Sequence, residues 1–322
     1  MLAGRRYLKL DGKEIERTPL LVPSFSSKGF PEIRKILETA EEFIEVPILV
    51  SAYDIFYRHI PVPDWPPLIF LDSGGYEASK DADLSDLGEH EHVPAAWSLA
   101  AYNEVIGNWR SSVPTVVISY DHPNERLPIK DQITRARNAS LDGRRMFRGL
   151  LLKPETAEQR FLHIPSMINN IHAFAEFDVI GFTEKEIGNS ILDRMKNIAK
   201  VRRELERAGL GLPIQIFGSL DTMTTPLYFV AGADIFDGLT WLRFGFKDGH
   251  TLYRQNYGVL ALSIDTKWHL VDARCWSNNC YYLKDLQLEM RRFLKDGDFS
   301  AFRHHNSLIR DAYNNVAEAL GV

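Results

Sequence analysis

Short runs of apolar and β-branched residues recur along the chain and end at turn residues, a pattern that predicts β-strands. Eight such runs precede residue 239, and segments of helical periodicity occupy several of the gaps between them. The runs are LLVPSF (20–25), PILVSA (47–52), PLIFLD (67–72), TVVISYD (115–121), GLLLK (149–153), FDVIGF (177–182), LPIQIF (212–217) and ADIFDG (233–238). Because strands that alternate with helices pair in parallel, eight of them predict an α/β fold, a closed (β/α)8 barrel of the TIM type.

The segments on either side of the predicted barrel have different patterns. RRYLKLDGKEIERTP predicts a β-hairpin that turns at Asp11-Gly12. Beyond the barrel we expect two helices, at about 282–295 and 299–320, in a small subdomain packed on the barrel. The expected organisation is an N-terminal hairpin, a catalytic barrel and a C-terminal subdomain, at 1–19, 20–258 and 259–322.

Composition narrows the class of protein. The chain has 322 residues, of which 45% are hydrophobic and 25% charged, values typical of a globular protein with a sizeable core. Its N-terminal sequence lacks a signal-peptide pattern, and its apolar runs are far shorter than the roughly 20 residues of a membrane span. Two cysteines give no disulfide framework. We therefore expect a cytoplasmic protein with no membrane partner.

The charge is unevenly distributed along the chain. The net charge is −5, yet residues 243–310 contain 11 Lys/Arg against 7 Asp/Glu. This imbalance is compatible with a basic face that binds phosphates on an otherwise acidic protein, or with chance clustering on a solvated surface.

Three aspartates fall at the C-terminal ends of predicted strands: Asp72 on the third, Asp121 on the fourth and Asp237 on the eighth. In a parallel barrel these ends share the face on which barrel enzymes carry their active sites. Carboxylates there can attack an anomeric carbon, exchange a proton with a leaving group, or accept hydrogen bonds from a purine edge. The alternative is that each aspartate caps the helix that follows it.

Four segments resemble, in order and spacing, the motifs of tRNA-guanine transglycosylases. The similarity extends from about residue 20 to 315 and includes LDSGGYE (71–77), SYDHP (119–123), VIGFTEKE (179–186) and GADIFDGLTWLR (232–243). Members of this superfamily are barrel pentosyltransferases that exchange a guanine base in a nucleic acid. The resemblance therefore implies an enzyme of that class, with a 7-deazaguanine such as 7-cyano-7-deazaguanine as the incoming base, and suggests a homodimer.

The resemblance also implies a role for individual residues. Asp237 matches the nucleophile that attacks C1′ of the sugar, and Asp72 matches the general acid/base of the exchange. The residues that match the base-binding positions of the family are Ser73, Tyr76, Asp121, Gly181 and Glu186. For Tyr76 an ordinary core position is the alternative, and for Glu186 a first-turn position on the next helix.

A structural zinc site is a further implication of the resemblance. The family binds zinc through a Cys-x-Cys-x2-Cys set and a histidine about 26 residues later. Cys275 and Cys280 match the first and third cysteines, Ser277 stands at the second, and His305 matches the histidine. The resemblance thus implies zinc bound by Cys275, Cys280 and His305 with a substitute fourth ligand. The alternative is a pair of reduced cysteines in a site that has lost its metal.

Departures from the tRNA pattern bear on which nucleic acid is bound. In tRNA enzymes two arginines that follow the eighth strand in compact motifs recognise anticodon-loop uridines. Here FGFKDGHTLY separates Arg243 from Arg254, and Lys153 stands where the family usually has glutamine. These departures resemble the DNA-guanine transglycosylases of 7-deazaguanine DNA modification, so DNA is the favoured partner and tRNA the alternative. The expected nucleic-acid-binding residues are Arg243, Lys247 and Arg254.

Three other kinds of function fit parts of the sequence. A barrel glycosidase would use Asp72 and Asp237 as its carboxylate pair, and a barrel with IFGSLDT after the seventh strand could bind a phosphate on backbone amides. A non-catalytic subunit that binds nucleic acid is the remaining alternative. Exchange of labelled guanine into a polymer, rather than sugar release, separates these functions.

Overall fold

Eight parallel strands form a closed barrel in the computed structural model of the chain, which describes residues 1–80, 92–122, 124–139, 141 and 145–321. The barrel order follows the sequence from β3 to β10, and β10 pairs with β3. The strands are β3 (Leu20–Phe25), β4 (Ile48–Ser51), β5 (Ile69–Asp72), β6 (Thr115–Ile118), β7 (Met146–Leu152), β8 (Val179–Thr183), β9 (Ile214–Phe217) and β10 (Ile235–Gly238). The predicted (β/α)8 fold class is confirmed.

Each predicted strand is present, but several end earlier or begin later than the apolar run. The run at 115–121 contributes only Thr115–Ile118 to the barrel, so Asp121 lies in the loop that follows β6. In contrast, β7 begins at Met146, before the predicted start. Apolar runs locate buried strands well, but the last ladder hydrogen bond, which sets the end of a strand, depends on the neighbouring strand.

Helices surround the barrel and connect its strands. Several have clear N-caps: the Ser190 hydroxyl accepts a hydrogen bond from Asp193 N at 3.1 Å at the start of the longest connecting helix. The connecting helices are α1 (Ile33–Ala40), α2 (Ala52–Phe56), α3 (Leu99–Asn108), α4 (Ile129–Arg137), α5 (Ile164–Asn169), α6 (Ile191–Arg207) and α7 (Thr224–Val230). Short 3-10 helices occupy Ile171–Glu176, Glu184–Glu186 and Phe299–Ala301.

The chain divides into two compact units. One contains Tyr7–Glu16 and Ser24–Phe182, and with them the N-terminal hairpin and strands β4 to β7. The other contains Met1–Arg6, Arg17–Pro23 and Thr183–Val322. The predicted domain boundaries at residues 19 and 258 stay a prediction.

A buried ion-pair network fixes the second of these units. Arg202 Nη2 lies 2.5 Å from Asp234 Oδ2, and Arg6 Nη1 lies 2.8 Å from Asp234 Oδ1. Asp234 also accepts a hydrogen bond from Ile214 N at 2.8 Å, at the start of β9. Arg6 Nη2 also lies 3.0 Å from Glu206 Oε1, so two carboxylates face the two guanidinium groups. The network thereby joins the N-terminal segment to α6 and to the strands β9 and β10.

Two hairpins flank the barrel strands, and only the first was predicted. The predicted hairpin consists of β1 (Tyr7–Leu10) and β2 (Lys13–Arg17), with positive φ at Asp11 and Gly12 as a two-residue turn requires. The second lies in the inserted segment and pairs β11 (Phe244–Lys247) with β12 (His250–Tyr253). Its turn residues, Asp248 and Gly249, have φ of 51° and 81°.

The C-terminal region is helical over more of its length than predicted. It contains α8 (Thr240–Arg243), α9 (Arg254–Ala261), α10 (Trp268–Asp296) and α11 (Asn306–Leu320). The predicted starts near 282 and 299 are wrong for both long helices. Val271, Cys275 and Asn279 are buried at a spacing of four, so packing of one face extends α10 towards its N-terminus. Over the ranges that the structure describes, no helix is both long enough and apolar enough to cross a membrane.

Candidate active site

Asp121 is bound by a hydroxyl group and lies near an ammonium group. The hydroxyl of Ser73, just after β5, donates a hydrogen bond to Asp121 Oδ1. Lys153, which follows β7, places its Nζ 3.7 Å from Asp121 Oδ2. The side chains of Lys153 and Asp121 are 14% and 13% exposed, so the pair is shielded from bulk water but reachable. Such a group offers carboxylate acceptors and an ammonium donor side by side.

The glycines of the DSGG segment allow the backbone to pass close to this carboxylate. A Cβ atom added to Gly75 would lie 2.5 Å from Asp121 Oδ1, a distance that side chains do not tolerate. Trp97 Nε1 donates to the Ser73 carbonyl oxygen at 3.0 Å and fixes the start of the turn. Close packing therefore requires glycine at position 75.

Asp72 is the last residue of β5 and lies opposite Ser51 in the register of β4 and β5. The side chain of Tyr102 lies within electrostatic range of Asp72. Burial raises the pKa of the Tyr102 hydroxyl, and the negative charges of Asp72 and Asp121 raise it further. The same hydroxyl donates to the Ile118 carbonyl oxygen at the end of β6. Both aspartates therefore lie within electrostatic range of one buried tyrosine.

Tyr76 lies under a buried lysine that the sequence analysis did not identify. Lys28 Nζ lies 4.6 Å from the centroid of the Tyr76 ring, within the range of a cation–π contact. Lys28 is 2% exposed and also donates to the Ser79 carbonyl oxygen at 3.0 Å. Tyr76 itself is only partly buried.

Asp237 is oriented by an amide group on the neighbouring strand. Gln215 Nε2, on β9, donates to Asp237 Oδ2 at 2.8 Å, and Gly218 N approaches Asp237 Oδ1 at 3.5 Å. Gln215 is fully buried and Asp237 is 5% exposed. Gln215 was not predicted as a site residue, although it is the one polar residue inside the apolar run LPIQIF.

Asp221 of the IFGSLDT segment binds the backbone amides at the start of α7. Asp221 Oδ1 accepts hydrogen bonds from Met223 N at 2.6 Å and Thr224 N at 2.7 Å, at the start of α7. Thr225 Oγ1 accepts from Asp221 N at 3.0 Å. A side-chain carboxylate of the protein thus already occupies the position that an anion would take.

The remaining predicted base-binding residues lie in or after β8. Gly181 is buried within the strand, opposite Leu151 of β7. Glu186 is 7% exposed in the 3-10 turn that follows, where Thr183 Oγ1 donates to its carboxylate. Pro123, the last residue of the SYDHP motif, lies outside the described residues.

The three predicted nucleic-acid-binding residues lie on or beside the second hairpin. Arg243 ends α8, and Lys247 in β11 forms an ion pair with Asp248 at 2.9 Å. Arg254 pairs with Asp272 at 2.7 Å and also covers the Trp268 ring, 5.1 Å from its centroid. Two of the three cations are therefore locally offset by a carboxylate, which weakens the attraction that each alone exerts on a phosphate.

The predicted zinc ligands do not form one ligand set. Cys275 and Cys280 lie on the single helix α10, where a spacing of five residues separates their directions by about 140°. Burial raises the pKa of both thiols to about 12. His305 Nε2 lies 2.9 Å from the Gly249 carbonyl oxygen. No group of three or more His, Cys, Asp and Glu that could hold a metal ion occurs among the residues described. The zinc site that the resemblance implies stays a prediction.

Comparisons with known proteins give no family assignment for this chain. No protein-family model matches it, and no curated protein matches it. The likeness to the guanine transglycosylases therefore rests on the motifs and on the residues just described.

Proposed function

We propose that the chain is a guanine transglycosylase that exchanges guanine in DNA for a 7-deazaguanine base. The observation that carries this proposal is the buried Asp237 carboxylate, oriented by Gln215 near the carboxyl end of β10. In closed parallel barrels the carboxyl ends of the strands carry the catalytic groups. Asp72 ends another strand of the same barrel, and Asp121 follows a third.

Asp237 is the nucleophile of the proposed reaction. Its carboxylate oxygen attacks C1′ of the target nucleotide, a C1′–O bond forms, and the C1′–N9 bond to guanine breaks. The electron pair of the broken bond leaves with guanine. The Gln215 amide orients the carboxylate without neutralising it, so its negative charge remains available to stabilise an electron-poor sugar carbon in the transition state.

Asp72 is the general acid and base of the exchange. In the first half it donates a proton to the departing guanine, and in the second it accepts one from the incoming base as that base attacks C1′. The second attack releases Asp237 as a carboxylate and leaves Asp72 protonated again, as it was at the start. Because the two halves mirror each other, the overall exchange consumes no proton.

Asp121, Ser73 and Lys153 recognise the base. The carboxylate of Asp121 accepts hydrogen bonds from N1–H and the exocyclic amine of guanine, two donors with matching spacing. The ammonium group of Lys153, next to that carboxylate, can donate to the adjacent O6 carbonyl oxygen. Tyr76 supplies an aromatic face for stacking, as aromatic side chains do when they bind an extruded base.

The second hairpin supports DNA over tRNA as the substrate. It stands in place of the compact arginine motifs of tRNA enzymes, and the side chain of Asn279 on α10 holds its first strand by hydrogen bonds. Asn279 donates to the carbonyl oxygens of Trp241 and Phe244 at 2.7 and 2.6 Å, and its Oδ1 accepts from Phe246 N at 2.7 Å. Although Lys247 and Arg254 each pair with a carboxylate, residues 243–310 keep an excess of 11 Lys/Arg over 7 Asp/Glu, which suits contact with a duplex backbone. Extrusion of the guanine costs about a few kcal/mol.

The test uses labelled guanine, with plasmid DNA and bulk tRNA in separate reactions. We expect label in DNA, and no label with a matched Asp237→Asn variant. Label in tRNA alone would support the base-exchange reaction but contradict DNA as the substrate. Release of free sugar without incorporation would favour a glycosidase, and polymer binding without either reaction a non-catalytic subunit.

A further inference from the structure

Glu77 is a buried carboxylic acid in the turn after β5, and the proposed reaction gives it no role. It is 2% exposed. The Ser26 hydroxyl, just after β3, donates to Glu77 Oε1, and the Ser51 hydroxyl, at the end of β4, donates to Oε2 at 2.7 Å. One carboxyl group thus joins its turn to the ends of two barrel strands.

The two serines are arranged to donate rather than accept. Ser26 Oγ accepts from Lys28 N at 3.1 Å, and Ser51 Oγ accepts from Tyr53 N at 3.2 Å. Because each oxygen already accepts a backbone hydrogen bond, its own hydrogen is directed at the carboxyl group. Each carboxyl oxygen of Glu77 therefore has a serine hydroxyl donor.

Lys28 makes a second connection between residues 26–28 and the turn after β5. Lys28 Nζ donates to the carbonyl oxygens of Ser79 at 3.0 Å and Tyr76 at 3.4 Å, besides covering the Tyr76 ring. Within the turn, Ala78 N donates to Gly74 O at 3.0 Å. Residues 26–28 thus bind the turn both through Glu77 and through backbone carbonyl groups.

We propose that Glu77 is a positioning residue that fixes the 73–79 turn, and with it Ser73 and Tyr76, in the geometry that binds a purine base. The inference rests on the proposed function for the roles of Ser73 and Tyr76. The turn contains Gly74 and Gly75, whose backbones are intrinsically the least restricted. Tertiary bonds from Glu77 supply the preorganisation that such a segment lacks.

The charged surroundings of Glu77 make this connection sensitive to pH. Asp54 is fully buried nearby and binds Ser27 N at 2.8 Å and His59 Nδ1 at 2.9 Å. Burial and the charge of Asp54 raise the pKa of Glu77 to about 7, against the smaller effect of the serine hydrogen bonds. Among the residues that the structure describes, the titratable groups near it include Lys28, Tyr53, Asp54, His59 and His92.

The test compares Glu77→Ala, Glu77→Gln and a surface control, Glu32→Ala. Hydrogen–deuterium exchange of peptides covering 73–80 reports the turn directly, and titration with guanine reports base binding. We expect Glu77→Ala to speed exchange in this segment and weaken guanine binding, each by about tenfold, with kcat changed much less than KM. Glu77→Gln keeps the shape and one of the two oxygen acceptors, so it should restore part of the binding and remove its dependence on pH between 6 and 8.

Unchanged exchange and unchanged guanine affinity in a folded Glu77→Ala variant would overturn the inference. If that variant does not fold, Ser51→Ala removes one of the two hydroxyl donors, and the same local increase in exchange is expected. Hydrogen–deuterium exchange of the turn can be measured without catalysis. A wild-type protein that binds no guanine would therefore contradict the proposed function, whereas a turn that Glu77→Ala leaves unchanged contradicts the positioning role alone.

Discussion

Gln215 and Asp237 lie side by side on adjacent barrel strands, with Gln215 Nε2 2.8 Å from Asp237 Oδ2. Both side chains are buried. A buried amide on an otherwise apolar strand costs solvation free energy unless it is hydrogen-bonded, so its presence beside a strand-end carboxylate is informative. An amide also fixes the direction of the carboxylate while leaving its charge intact, as a nucleophile requires.

Replacing Gln215 by Leu should slow the base-exchange reaction without weakening binding of guanine. Loss of the amide removes one of the hydrogen bonds that orient the Asp237 carboxylate, and we expect kcat to fall by about 10- to 100-fold because a small misplacement of a reacting group has such an effect. The KM for guanine should change less than about threefold, since Gln215 does not bind the base. Steady-state kinetics measures both. The control is Asn314→Leu on α11, an exposed amide with no place in the reaction. A rise in KM at constant kcat would assign Gln215 to base binding instead.

Lys153→Met should have the opposite kinetic signature. The ammonium group lies 3.7 Å from Asp121 Oδ2 and is proposed to donate to the base carbonyl. Its loss removes one charge-assisted hydrogen bond, so KM for guanine should rise by about tenfold with little change in kcat. Lys153→Gln retains a donor and should recover part of the affinity. Equal affinity of wild type and Lys153→Met would exclude Lys153 from the base site.

Gly75→Ala should damage the base site through a steric clash. The added methyl group would lie 2.5 Å from Asp121 Oδ1, so either the turn or the carboxylate must move. We expect a loss of about 1–3 kcal/mol in the free energy of unfolding and a clear rise in KM for guanine. Gly107→Ala on α3 is the matched control. No heavy atom lies within 4 Å of its added Cβ, and alanine should stabilise the helix by about 0.5–1 kcal/mol. Full activity of Gly75→Ala would show that Asp121 does not need its present position.

Stability should fall as pH rises from 4.5 to 7 because of Glu77. Burial raises its pKa from 4.5 to about 7, so the folded protein keeps this proton over a range where the unfolded chain has lost it. The stabilisation from this group is complete below the unfolded pKa and is lost as pH approaches the folded pKa. At most this is on the order of 3 kcal/mol. Urea unfolding of wild type and Glu77→Gln at pH 5 and 8 measures it. The two proteins should differ in pH slope over this window, and parallel slopes would exclude Glu77 as the source.

The sequence predicts the barrel well because each of its strands is an apolar run bounded by turn residues. The closing pair, β10 with β3, follows from the count of eight rather than from any local signal. The second hairpin also carried a local signal, since Asp248-Gly249 is a favoured two-residue turn between FGFK and HTLY. The inserted segment could have been predicted as a hairpin on that basis.

Contacts between distant residues were not predictable from one sequence. Nothing local indicates that the Ser73 hydroxyl binds Asp121 or that Lys28 covers Tyr76, because these contacts depend on how strand ends meet in three dimensions. The predicted zinc ligands are the opposite case, in which a local motif is present in the sequence. Their spacing resembles a metal motif, but a continuous α10 directs Cys275 and Cys280 to different sides of the helix.

Covalent trapping tests the central claim, that Asp237 forms a glycosyl ester with the nucleic acid. Wild-type protein and Asp237→Asn would be incubated with a guanine-containing DNA strand, denatured and separated by mass, with intact protein mass as a second readout. The wild type should yield a protein–DNA adduct that free guanine reverses, and the variant should lose it together with at least ~10³-fold of the exchange rate. An Asp237→Asn variant that traps DNA as well as the wild type would contradict the account.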